Sequence, residues 1–299
     1  MSVVFDPRTG AALATAGGDA QWFRDFLLTQ GIRLKASCPF GQALSALEKL
    51  SEWTRGGVQP LLSIEKRYAI AADAFGADLI TKSVRRTISK TAEPLRPYWP
   101  LFAKCDPNQI RRGRSDTGRN LVWELLVGVL VANFATDLAR VEPDLRCTYL
   151  DRRWGLSCKA FYSFDVDQQI DSIVEGVKQL EGADTDRGIV IVNLANIFSH
   201  AELFAQDFPT SQAAILFVTR GHRQFLDRFR TRSVERRLTS GADGMRDKTR
   251  MVLFFCPTVV NVQQHPTLFC SVEPFEFRRV RDEEHRFAHS FRKAAVLAL

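Results

Sequence analysis

The chain has 299 residues, 45% of them hydrophobic, enough to fill one large core or two smaller ones. Its 41 Lys and Arg against 34 Asp and Glu give a formal charge of +7, which suits a polyanionic partner but is also ordinary for a cytosolic protein. Six scattered cysteines without a CxxC pair give no sign of a zinc module or a disulfide framework, and no apolar run approaches the ~18 residues of a membrane span.

In chain order, residues 1–18 are rich in Gly, Ala and Thr and read as a loose arm. Asp19 is the expected N-cap of a helix carrying Trp22, Phe23, Phe26 and Leu27. A second helix is predicted from about Phe40 to Thr54 and, after the Gly56-Gly57 break, a third from Ile64 to Ser89. Pro94, Pro97, Pro100 and Pro107 then interrupt the pattern. The boundary is placed there, giving an α-helical N-terminal domain at 1–105 and an α/β domain at 106–299. The N-terminal domain is where a second copy of the chain or a partner protein would dock.

Arg111, Arg112, Arg114 and Arg119 lie just before a predicted helix from Asn120 to Leu138, a placement equally suited to a phosphate grip and to a solvated basic loop. Within that helix Glu124 stands among Leu121, Val122, Leu125, Val129 and Leu130, so its carboxylate needs a partner. A cation at the site or one of Arg140 and Arg146 would serve. A hairpin follows, with Val141–Leu150 carrying Asp144 after Pro143, a turn at Asp151-Arg152-Arg153, and a return strand from Trp154 to Tyr162. Alternation puts Ser157, Lys159 and Phe161 on one face and Cys158 and Ala160 on the other. The next helix bears Asp171 and Glu175, four residues apart on one face.

Continuous apolar runs at Gly188–Ala195 and Ala213–Thr219 are predicted as strands buried on both faces. Arg220–Arg237 reads as a basic helix interleaved with Phe225, Leu226 and Phe229, with Arg223 and Arg230 as candidate phosphate contacts. Met251–Phe255 and Val259–Val262 read as two further strands and Arg281–Leu299 as a closing helix. No Gly-rich phosphate loop and no GxSxG elbow is present, which argues against an NTPase, a dehydrogenase and an α/β-hydrolase.

The succession of Glu124, Pro143-Asp144 and Ser157-Cys158-Lys159 resembles the restriction-endonuclease-like, or PD-(D/E)xK, nucleases over about residues 119–195. The resemblance implies a mixed sheet flanked by helices and a metal-dependent nuclease acting on DNA; the scattered cysteines and the lack of a signal-like start or apolar span separately point to the cytoplasm. The resemblance also implies Mg²⁺ or Mn²⁺ held by Glu124 and Asp144, with Lys159 orienting the attacking water. Ser157 stands where the family usually has an acid, and a subset of restriction endonucleases draws the missing acid from the following helix. Here that helix offers Asp171 or Glu175, with the longer Glu175 preferred. Two strands are legible between the Glu124 helix and the next helix, where the family commonly has three. The alternative reading is a nucleic-acid-binding or scaffold protein that keeps the fold without the chemistry.

Overall fold

The computed structural model describes residues 16–56, 62–106, 108–109, 117–198, 200–240 and 247–298. The loose arm expected at the N-terminus, apart from its last residues, lies outside these. Three helices come first: α1 (Ala16–Thr29), α2 (Pro39–Gly56) and α3 (Ile64–Thr91). The Ser63 hydroxyl caps α3 by accepting from the Lys66 amide. Asp19 is not the cap of α1. It lies inside the first turn, where its carboxylate is taken by Arg85 of α3.

The proline-rich stretch forms a short 3-10 segment, Arg96–Ala103, whose Tyr98, Trp99 and Phe102 are buried. Phe102 packs edge-on against Phe23, with centroids 5.3 Å apart. Phe23 and Phe102 belong to the same hydrophobic cluster as Trp123, Leu253 and Phe291, so the core runs without a break across the boundary placed at residue 105.

Helix α4 is Thr117–Val131, ending seven residues before the predicted Leu138. The chain then turns and enters β1 (Thr136–Ala139), a strand too short for alternation to reveal. The hairpin is β2 (Leu145–Tyr149) and β3 (Arg152–Ala160), joined by Leu150 and Asp151 at φ 49° and 55°. Two central residues of positive φ match the twist of the flanking strands, although neither is the Asn or Gly that usually marks such a turn. The turn is therefore one residue earlier than predicted. Helix α5 (Val166–Gly182) is capped by Asp165, which accepts from the amides of Asp167 and Gln168.

Beyond α5 come β4 (Arg187–Asn193), α6 (His200–Ala205), β5 (Asp207–Phe208), α7 (Ser211–Asp227), α8 (Arg232–Ser240), β6 (Thr249–Val262), β7 (His265–Glu276) and α9 (Asp282–Ala298). The strand expected at Ala213–Thr219 is the first half of α7. The Thr210 hydroxyl caps it, and Ala214, Val218, His222 and Phe225 are buried at helical spacing while Leu216 and Phe217 face solvent. A short apolar run does not separate helix from strand, and the cap decided it. The basic helix expected over Arg220–Arg237 is divided between α7 and α8. The two segments around Pro257 are one continuous strand, β6, and β7 is an additional strand.

The sheet runs β1-β2-β3-β4-β6-β5 with β7 on β6, seven strands among the described residues. β1, β2 and β3 are antiparallel, β3, β4 and β6 are parallel, and β7 returns antiparallel to β6. The result is a mixed sheet flanked by helices. One face carries Trp123, Trp154, Phe255 and Phe291; the other carries Phe161, Ile173, Phe229 and Phe254. Complete burial of a side chain such as Phe229 contributes about 1.5–3 kcal/mol relative to exposure. All six cysteines are free, and no helix among the described residues is long and apolar enough to cross a membrane.

Candidate active site

Pairing of Leu145 with Leu156 fixes the hairpin register and sets Asp144 beside Ser157 and Cys158. The Asp144 carboxylate accepts from the Cys158 amide at 2.6 Å. On the face toward α5, the buried Ser157 hydroxyl and the Lys159 ammonium both donate to the Gln179 amide oxygen, each at 3.1 Å. Glu175, one turn before Gln179, lies 3.6 Å from the same ammonium. Lys159 can run along α5 because Gly176 has no side chain. A Cβ there would stand 3.1 Å from the Ser157 Oγ and 3.2 Å from the Lys159 Cε.

Glu124 reaches the site from α4. Tyr98 donates its hydroxyl to Glu124 Oε2 at 3.0 Å, and the Arg140 Nε is 4.0 Å from that oxygen. The Arg140 guanidinium also lies over the Tyr98 ring, 4.9 Å from its centroid. Burial, then the charge of Asp144, pushes the Glu124 carboxyl up to about 7 despite Tyr98, Arg140 and Lys159. Burial likewise raises Asp144 to about 6 against the Cys158 amide and Lys159. The two carboxylates thus sense each other in a half-dry site. Burial and both carboxylates drive the Cys158 thiol well above its ordinary range, so it remains protonated and is no thiolate nucleophile.

The predicted residues divide as follows. Glu124 and Asp144 lie within electrostatic reach of Lys159, and Glu175 pairs with the same ammonium. Asp171 turns elsewhere, its carboxylate held 2.6 Å from Arg237 of α8. Arg119 is 2% exposed, donates to Asn196 at 2.8 Å and lies 3.6 Å from Asp106, so it is a buried structural arginine rather than a surface phosphate contact. Arg111, Arg112 and Arg114 lie outside the described residues. Arg223 and Arg230 are exposed near the end of α7, Arg230 pairing with Asp227 at 3.0 Å.

Three positions escaped the sequence reading. Gln179 carries a signal, being four residues after Glu175 on one helical face. Gly176 could have been found only from the close approach of β3. Tyr98 has no sequence signal, since a proline-broken segment 26 residues before Glu124 supplies it.

Among the described residues no group of three or more His, Cys, Asp or Glu side chains is arranged to hold a metal ion. The chain offers two carboxylates, and Mg²⁺ is commonly held by one or two carboxylates with water and substrate phosphate completing its shell. Two half-buried carboxylates, with Glu124 feeling the charge of Asp144, fit a divalent cation. No protein family, curated protein or solved structure matches this chain.

Proposed function

We propose that the chain is a metal-dependent nuclease of the PD-(D/E)xK kind, hydrolysing phosphodiester bonds in DNA. The observation that carries this reading is that Glu124 of α4 and Asp144, held by the Cys158 amide of β3, each lie within electrostatic reach of the Lys159 ammonium, with Glu124 also feeling the charge of Asp144. When bound, Mg²⁺ or Mn²⁺ would polarise the scissile phosphate and acidify a water. Glu124 and Asp144 would hold it. Tyr98 orients the Glu124 carboxylate by a hydrogen bond, and the Cys158 amide orients that of Asp144. Lys159, aimed by Gln179, brings an ammonium to the developing negative charge.

A second reading, a nucleic-acid-binding or scaffold protein without the chemistry, draws support from Ser157 and from the two-carboxylate donor set. Incubation of the purified protein with plasmid, linear duplex, single strands and RNA in Mg²⁺, Mn²⁺ or EDTA separates the two. Metal-dependent cutting supports the nuclease. Binding to these substrates without cutting in either metal supports the second reading.

A further inference from the structure

A polar pocket, of about 600 Å³, opens on the α5 side of the sheet, lined by Arg223, Leu226, Arg230, Glu273 and Phe275, with Glu235 and Glu276 also in its wall. Glu273 is 9% exposed, its Oε1 has no hydrogen-bond partner among the described residues, and Arg292, Arg223 and Arg230 act on its charge. Such a carboxylate calls for a donor. Two guanidiniums face three carboxylates, so the pocket does not suit a bare anion. A fitting ligand combines an anionic group for Arg223 and Arg230 with a hydrogen-bond-donating edge for Glu273 and a flat apolar body for Leu226 and Phe275.

The pocket is in register with the candidate active site. Lys159 pairs with Val192, Val192 with Phe254, and Phe254 with Glu273, so all four share one row and one face of the sheet. Three strand spacings separate Lys159 from Glu273, roughly 14 Å.

We propose that this pocket receives one nucleotide of a nucleic-acid strand, with a guanine base set against Glu273 and its phosphate held by Arg223 and Arg230. This rests on the nucleic-acid reading of the neighbouring site and supplies its base preference. Guanine presents N1–H and N2–H side by side, and a carboxylate accepts both; adenine offers one donor beside an acceptor, which a carboxylate repels.

Calorimetric titration of the full chain with GMP, AMP, CMP and guanosine tests the pocket without cleavage. GMP is expected to bind saturably and at least tenfold more tightly than AMP or CMP, with guanosine at least tenfold weaker than GMP. Glu273→Gln should reduce the preference for GMP over AMP below threefold, and Arg223→Ala, at an exposed position, should bring GMP down toward guanosine. Lys159→Ala should leave GMP binding unchanged. Equal binding of GMP and AMP, or a guanine preference that survives Glu273→Gln, overturns the proposal. If the guanine pattern appears and no substrate is cut, the pocket stands and the nuclease reading falls; if cutting occurs without the pattern, the reverse holds. A guanine bias in mapped cleavage sites, lost in Glu273→Gln, places the base within a strand, and its absence beside GMP binding assigns the pocket to free nucleotide.

Discussion

Lys159 and Ser157 share a single acceptor, the amide oxygen of Gln179, at 3.1 Å each. The two-residue step along β3 that usually joins an acid to a lysine is bridged here by a neutral amide from the next helix. Lys159→Ala should therefore lower cleavage by about 10²–10³-fold while leaving nucleic-acid affinity nearly intact, because one ammonium among many basic groups matters mainly in the transition state. Gln179→Ala, which keeps the charge but frees it, should cost about 10- to 100-fold in kcat with little change in KM. Steady-state rates on a duplex check both, and a near wild-type rate for Lys159→Ala rejects its role.

Asp144→Asn keeps an acceptor for the Cys158 amide, so the fold should hold while Mg²⁺ affinity and cleavage fall together. Asp151→Asn, at a turn position with φ 55° that Asn tolerates well, should be mild. Cleavage assays with thermal melts separate them. Equal losses at the two positions would place the metal elsewhere.

The missing acid can be traced by neutralising α5 one residue at a time. Glu175 lies 3.6 Å from the Lys159 ammonium, whereas Asp171 is held by Arg237. Glu175→Gln should abolish cleavage, Asp171→Asn should leave it within about threefold, and Ser157→Asp should restore part of the Glu175→Gln loss. Unchanged cutting in both neutralised variants would leave the site to Glu124 and Asp144.

Gly176→Ala tests the path of the lysine side chain. The added methyl meets the Lys159 Cε at 3.2 Å and the Val190 Cγ2 at 3.2 Å, so the flexible lysine yields first. Helix propensity favours the substitution by about 1 kcal/mol and offsets part of the crowding. The expected outcome is a melting temperature within a few degrees of wild type and a cleavage rate well below it.

Proton binding gives the site a signature in stability. In the folded chain Glu124 is raised from 4.5 to about 7 and Asp144 from 3.8 to about 6, so between about pH 4 and 7 the native state holds more protons than the unfolded state. Stability contributed by these groups is present at low pH and lost as pH rises through that window. In EDTA the melting temperature of wild type should gain on acidification from pH 8 to 5.5 relative to the Glu124→Gln, Asp144→Asn double variant. Mg²⁺ should stabilise wild type more at pH 8 than at pH 5.5, because protons and metal compete for the same oxygens. Parallel profiles for the two proteins would show that neither carboxyl is perturbed.

The sequence revealed what depends on local order. Glu124 stood out as a charge in an apolar helix, and alternation put Ser157 and Lys159 on one side of β3, where Gln179 meets them. It failed where tertiary context decides. Leu150-Asp151 turns the hairpin without the usual turn residues, β1 is too short to show a period, and Ala213–Thr219 is apolar enough for a strand yet coils behind Thr210. Arg119 looked like part of a basic loop because nothing nearby in sequence announces its contacts with Asn196 and Asp106.

Tyr98 ties the proline-rich 3-10 segment to the candidate site. Its hydroxyl belongs to the segment before the proposed boundary and its acceptor to the helix after it. A fragment beginning at residue 106 would lose the partner of Glu124 along with the aromatic packing around Phe23 and Phe102. The described residues before the boundary thus complete both the core and the surroundings of Glu124, and a chain without them would leave that carboxylate without its Tyr98 donor.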